Sequence, residues 1–135
     1  MRVIIAGSRS IKGEEAVQII DTAISGMDWK IDEVISGDAE GIDTAAIEWA
    51  KRNGIDHVRM PANWEKHGKR AGYLRNKKMG WYARVTSRIL ELQDEEVPDK
   101  FKGGLIAFWK NNSSGTGHMI DIAKEFGLET KIFRF

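Results

Sequence analysis

Ser36-Gly37-Asp38-Ala39-Glu40-Gly41-Ile42-Asp43 joins the apolar pair Val34-Ile35 to an amphipathic run from Ile42 to Ala50. A strand, a glycine-bearing turn and a helix start therefore meet in one short segment. A helix start exposes backbone N–H groups that lack intrahelical acceptors, at the positive end of the helix dipole. Glycine lets another group approach the backbone closely. In a parallel sheet this combination is a place where phosphate or another anion is held.

Working outward, Val3-Ile4-Ile5-Ala6 is a continuous apolar run ended by Gly7-Ser8-Arg9. It has the pattern of a strand buried on both faces. From Gly13 to Met27, the residues Ala16, Ile19, Ile20, Ala23, Ile24 and Met27 follow the helical period. Glu33 to Ser36 is the second strand. Ile42 to Asn53 is the second helix, with Asn53-Gly54 as its stop signal. Asp56 to Met60 is the third strand, ended by Pro61. Ala62 to Gly68 reads as a loop with a short turn of helix. A long helical stretch follows from Lys69 to Gln93, with a break expected near Gly80. Asp94 to Lys102 is acidic, contains Pro98 and reads as a surface connection. Gly103 to Trp109 is the fourth strand and Lys110 to Ser114 a polar loop. Gly115 to Phe126 is a helix stopped by Gly127, and Thr130 to Phe135 is the last strand.

Strands alternating with helices demand a parallel sheet with crossover helices on its faces. The sequence therefore predicts an α/β fold: a doubly wound, mainly parallel five-stranded sheet. The expected strand order is 3-2-1-4-5, with a crevice between strands 1 and 4. A length of 135 residues fits one domain over 1–135. There is no cysteine, so no disulfide framework and no thiolate zinc site. The three histidines, His57, His67 and His118, share no metal-binding spacing, and no metal or cofactor is expected. The chain starts on a strand-like segment rather than a signal pattern, and no apolar run is long enough for a bilayer. The expectation is a cytoplasmic protein without a membrane partner.

Net charge is +1, but it is unevenly distributed. Between Arg59 and Arg88, basic residues face a single acid, Glu65. Such a run is either a solvated helix face or a wall that attracts phosphate.

Four segments fall at the C-terminal ends of predicted strands, an edge that the fold gathers into one crevice. In the first, Gly7 and Ser8 offer backbone and hydroxyl, and Arg9 a forked cation suited to phosphate or carboxylate. In the second, Ser36, Gly37, Asp38, Ala39 and Gly41 form a polar bend. Asp43 either caps the helix or holds a ribose hydroxyl. In the third, Lys69 and Arg75 supply charge, Asn76 a directional hydrogen bond, and Trp64 a surface for a base. In the fourth, Gly115, Thr116 and Gly117 open a helix with bare backbone and one hydroxyl. Trp109 also falls on this edge, as a stacking or a packing residue. Neither the P-loop spacing nor G-x-G-x-x-G is present, which argues against those nucleotide sites. Nothing resembles a nucleophile elbow.

Together these motifs resemble the SLOG superfamily of Rossmann-like nucleotide-binding domains, in particular its YspA/YpsA-related members. The resemblance rests on Gly7-Ser8-Arg9, on Gly37 to Asp43, on Gly68-Lys69-Arg70-Ala71-Gly72-Tyr73-Leu74-Arg75-Asn76-Lys77-Lys78-Met79, and on Gly115-Thr116. It implies a Rossmann-like fold, a nucleotide-class ligand and self-association. LOG-type phosphoribohydrolases of the same superfamily carry P-G-G-x-G-T-x-x-E. Here P-G-G is missing and Met119 stands at the glutamate position. A thioether neither transfers protons nor carries charge. Ser36 to Asp43 also resembles a stretch of the DNA-processing protein A family, which binds single-stranded DNA.

The expected function is binding, for sensing or sequestration, of a nucleotide or nucleotide-derived metabolite such as an ADP-ribose-like signal. One alternative is a hydrolase that cleaves an N-glycosidic or phosphate bond with an acid from the second loop, Asp38, Glu40 or Asp43. A second is single-stranded nucleic-acid binding by the basic segment. Trp81, Tyr82, Ile89, Leu90 and Leu92 exceed the apolar needs of one sheet face, and a homo-oligomer is expected.

Overall fold

A computed structural model describes residues 1–135. Five strands form one parallel sheet: β1 (Arg2–Gly7), β2 (Glu33–Ser36), β3 (Asp56–Arg59), β4 (Gly103–Trp109) and β5 (Glu129–Arg134). Their order is β3-β2-β1-β4-β5. The helices are α1 (Gly13–Ser25), α2 (Ile42–Arg52), the short α3 (Trp64–His67), α4 (Ala71–Leu92) and α5 (Ser114–Glu125). Single 3-10 turns, Gly68–Arg70 and Asp99–Phe101, precede α4 and β4. The chain is a Rossmann-like α/β fold.

Alternation along the strands builds two cores. Val3 and Ile5 of β1, Val34 of β2 and Ile106 and Phe108 of β4 face α1 and α2. Their neighbours Ile4, Ala6, Ile35, Leu105 and Ala107 face α4 and α5. A strand covered on both sides needs apolar residues at every position, which is why β1 and β4 read as continuous runs. Winding starts at β1 and reverses between β1 and β4, so their loops diverge and leave a crevice at the C-terminal edge.

The expected break near Gly80 is absent, and α4 is one continuous helix. Glycine weakens a helix by roughly 1 kcal/mol relative to alanine. Here the missing side chain is what lets α4 approach α5. A Cβ on Gly80 would stand 2.7 Å from Ile122 Cγ2 and 2.9 Å from Phe126 Cδ2. Close packing outweighs local propensity. No helix is long and apolar enough to cross a membrane.

Candidate functional site

The crevice between β1 and β4 is a cleft of about 510 Å³. Its walls come from the β1–α1 loop, the β2–α2 loop, α3, the 3-10 turn and first three turns of α4, and the start of α5. Gly7, Ser8, Arg9, Ala39, Asp43, Trp64, Lys69, Arg75, Asn76, Gly115 and Thr116 all line it. The expected site residues Ser36, Gly37, Asp38, Gly41 and Gly117 do not.

Contacts within the chain hold each of the five, the Gly37 carbonyl by accepting from Arg75. Fully buried Ser36 donates through Oγ to the Asp43 carbonyl at 2.7 Å and accepts from Asp38 N–H at 3.1 Å, which ties the turn to α2. Asp38 sits 3.6 Å from the Arg59 guanidinium. Gly41 has φ +79°, and the Ser8 carbonyl and Arg9 Cα occupy the space a Cβ would need. Only glycine lets the two loops touch there. Ring atoms of Trp109 lie 3.1 Å from where a Gly117 Cβ would stand. Trp109 itself donates through Nε1 to the Ser113 carbonyl at 2.9 Å and lies under the Arg134 guanidinium. It braces the entry of α5 rather than lining the cleft.

The loops also differ in which amides remain free. Ser8 N–H donates to the Phe108 carbonyl, Ile42 N–H to the Ser8 carbonyl and Ala39 N–H to Asp43 Oδ2. The first two loops are thus knitted to each other and to β4. At the start of α5, the amides of Ser114, Gly115 and Thr116 have no acceptor within the chain. A Gly115 Cβ would meet nothing within 4 Å, so the backbone there is open to the cleft. Ser113 Oγ, at the N-cap, is buried without a hydrogen-bond partner.

Charge in the cleft is dominated by cations. Arg9 and Lys69 are exposed at its rim and Arg75 lies deeper. Burial lowers the Arg75 pKa, while Asp43 opposes that and Arg9 reinforces it. The Arg75 guanidinium donates to the Gly37 carbonyl and, through Nε, to Asn76 Oδ1 at 3.0 Å. Asn76 Nδ2 reaches His118 Nδ1 at 3.0 Å and the Gly115 carbonyl at 3.4 Å. Both ends of the Asn76 amide are therefore engaged by the chain. This network links the end of β2, through α4, to the start of α5. Burial lowers the His118 pKa, and its Nδ1 faces the Asn76 amide nitrogen.

Asp43 is the one carboxylate lining the cleft. Burial raises its pKa to about 6, against the opposing pull of Arg75, the Ala39 N–H, Arg9 and the Gly7 N–H. Glu40, a candidate acid in the sequence, points elsewhere and pairs with Lys12 at 3.2 Å. Met119 does line the cleft, buried, so a thioether occupies that wall.

Trp64 is half exposed on α3 and its ring reaches over Gly72, with Cη2 3.4 Å from where a Cβ would be. Tyr73 stands beside it along α4 and meets the His118 ring edge-on at 4.5 Å. Gly72, Tyr73, Met79, Ser10, Ser113 and Ser114 also line the cleft. Gly72 and Met79 were findable, since positions 72, 75, 76 and 79 share one helix face with Arg75 and Asn76.

Residues 1–67 match the model of the YAcAr family, described as the YspA, cpYpsA-related SLOG family. The match covers β1 through α3, including the loops at Gly7 and Gly41, and stops before Arg75 and Thr116. No curated protein and no solved structure matches the chain.

Proposed function

From its membership of the SLOG superfamily, carried by residues 1–67, we propose that the chain binds a nucleotide or nucleotide-derived small molecule, such as an ADP-ribose-like signal, in the β1–β4 cleft. The observation that carries this reading is the meeting of unpartnered amides at the start of α5 with Arg9, Lys69 and Arg75 around one cleft. A helix N-terminus with open backbone and nearby cations suits phosphate. The volume, about 510 Å³, lies within the usual range for small-molecule sites. Trp64, among the residues lining the cleft, offers an aromatic face for a base. Sensing or sequestration follows from binding without turnover.

Native mass spectrometry of the purified chain, followed by calorimetry with ADP-ribose, AMP and adenosine, tests the reading. The two phosphate-bearing compounds are expected to bind at least about tenfold more tightly than adenosine, the worth of a good charge-assisted contact. Equal affinity for adenosine and AMP, or no binding by any of the three, overturns it. Single-stranded DNA serves as the control: DNA affinity that falls steeply with salt, without affinity for the small molecules, moves the function to nucleic acid.

A second reading is favoured by Asp43. A carboxylate with a pKa near neutrality, facing a nucleotide cleft, is suited to assist attack of water on an N-glycosidic bond. Release of free base from AMP or an NAD-like compound, abolished in Asp43→Asn, would support it. No release at saturating substrate removes it.

A further inference from the structure

A second, basic hollow abuts the cleft. It holds about 300 Å³ and is lined by Arg70, Tyr73, Leu74, Lys77 and His118. Tyr73 lines both spaces, so one phenol ring is the partition between them. The cleft takes the face of α4 that carries Gly72, Arg75, Asn76 and Met79. The hollow takes Tyr73 and Lys77, one turn apart on the neighbouring face. The partition is braced from behind. The Tyr73 ring meets the His118 ring edge-on at 4.5 Å, and His118 Nδ1 lies 3.0 Å from Asn76 Nδ2.

No acid lines the hollow. Arg70 and Lys77 are both exposed, and neither forms an ion pair within the chain. Asp121 and Glu125 of α5 act on His118, but they line neither space and pair with neither cation. Two free cations beside a phenol and an imidazole suit an anion. His118 follows Gly115 by three residues, a rise of about 4.5 Å along α5. The hollow and the open amides at the start of α5 are therefore neighbouring anion positions, but not one position.

The ring between them restricts the chemistry of a ligand that fills both. The phosphates of a pyrophosphate share one bridging oxygen, and an aromatic ring is wider than that. Phosphates on two separate carbons of one sugar can reach round it. We infer that the ligand is a nucleotide phosphorylated at two positions of its ribose, with one phosphate at the start of α5 and the other beyond Tyr73, on Arg70 and Lys77. This inference rests on the nucleotide reading of the cleft and narrows it to a nucleoside bisphosphate.

Calorimetry on the full chain with AMP, ADP, adenosine 3′,5′-bisphosphate and adenosine 2′,5′-bisphosphate tests it. ADP adds charge to AMP without adding a second position on the sugar. At least one bisphosphate is expected to bind about tenfold more tightly than either AMP or ADP, the worth of a charge-assisted contact. Arg70→Gln/Lys77→Gln should abolish that gain and leave AMP affinity within about twofold, since exposed charges are screened beyond their own contacts. Lys66→Gln/Lys78→Gln removes the same charge from exposed positions that line neither space, and should keep the gain. Both double variants change only solvent-facing side chains and should melt as the wild type does. Bisphosphates that bind no more tightly than ADP overturn the inference. So does a gain that survives Arg70→Gln/Lys77→Gln, or one that Lys66→Gln/Lys78→Gln removes equally. In each of these cases, binding of AMP leaves the nucleotide reading of the cleft standing. If none of the four compounds binds, that reading and this inference fall together.

Discussion

Arg75, on the second turn of α4, donates its guanidinium to the carbonyl of Gly37 at the end of β2. The contact spans the sheet edge and sets one wall of the cleft against another. It also fixes a cation beside Asp43, whose Oδ2 lies 2.8 Å from the same vacant Cβ position of Gly37 that Arg75 approaches at 2.5 Å. The two side chains share that space without closing a direct ion pair.

Arg75→Ala removes both the tether and the charge. Nucleotide affinity is expected to fall by more than tenfold. Stability should fall by about 1.5–3 kcal/mol, the usual worth of a hydrogen bond to a charged group in a partly buried setting. Calorimetry and urea denaturation separate the two effects. Arg75→Lys keeps the charge but loses the fork that reaches Gly37 and Asn76 together, so it should recover only part of the affinity. An Arg75→Ala protein that binds as the wild type does would remove Arg75 from the site.

Asp43 gives the fold a pH dependence with a definite sign. Its pKa is raised to about 6 in the folded chain from an ordinary 3.8. Between those values the folded state holds a proton that the unfolded state has released. Stability contributed by the protonated carboxyl is complete below pH 3.8 and is lost as pH rises through 6. The loss is on the order of 3 kcal/mol. Asp43→Asn should flatten this slope and leave the variant more stable than wild type at pH 7. Urea denaturation at pH 5 and pH 7.5, compared between the two proteins, checks it; parallel pH profiles would refute the assignment.

The fold was legible because β1 and β4 are continuous apolar runs closed by glycine-bearing turns, and because Ile42 to Ala50 announces its helix at once. Local pattern carries that information. Gly80 misled for the same reason: its helix-breaking tendency is local, whereas its contact with Ile122 and Phe126 is not. The loops at Gly7, Gly41 and Gly115 read alike in sequence. Only their tertiary contacts distinguish them, since the Ser8 carbonyl occupies the Ile42 amide while nothing occupies those of Gly115 and Thr116. The sequence offers Asn76 as a ligand group; the fold puts it on the cleft wall with its amide also engaged by Arg75 and His118, contacts that no local pattern announces.

Gly41 and Gly54 form a matched test of close approach. Both have positive φ, +79° and +63°, so alanine at either is strained, by about 1 kcal/mol or somewhat more. Around Gly54 nothing lies within 4 Å of the added Cβ, whereas at Gly41 it meets the Ser8 and Arg9 backbone. Gly54→Ala should therefore cost about 1–2 kcal/mol. Gly41→Ala should cost several kcal/mol and distort the cleft, because the backbone it strikes cannot rotate away as a side chain would. Thermal melts rank the two. Equal losses would mean that the β1–α1 loop can move aside, and that its contact with Gly41 does not hold the cleft in shape.

Trp64 separates recognition of the base from recognition of the phosphate. It is half exposed on a four-residue helix and packs only lightly over Gly72, so Trp64→Ala should leave the melting temperature within a few degrees of wild type. If its ring covers a base, the same substitution should weaken AMP by roughly 1–3 kcal/mol, the range seen for aromatic stacking on bases. Ribose 5-phosphate has no base to cover and should bind both proteins alike. Trp64→Phe should restore most of the AMP affinity, since the face is kept while the indole N–H is lost. Calorimetry with the two ligands on the three proteins gives a difference that general damage to the cleft cannot mimic, because damage would weaken both ligands together. Equal weakening of AMP and ribose 5-phosphate would assign Trp64 to holding α3 in place, and the base would have to lie elsewhere along the cleft.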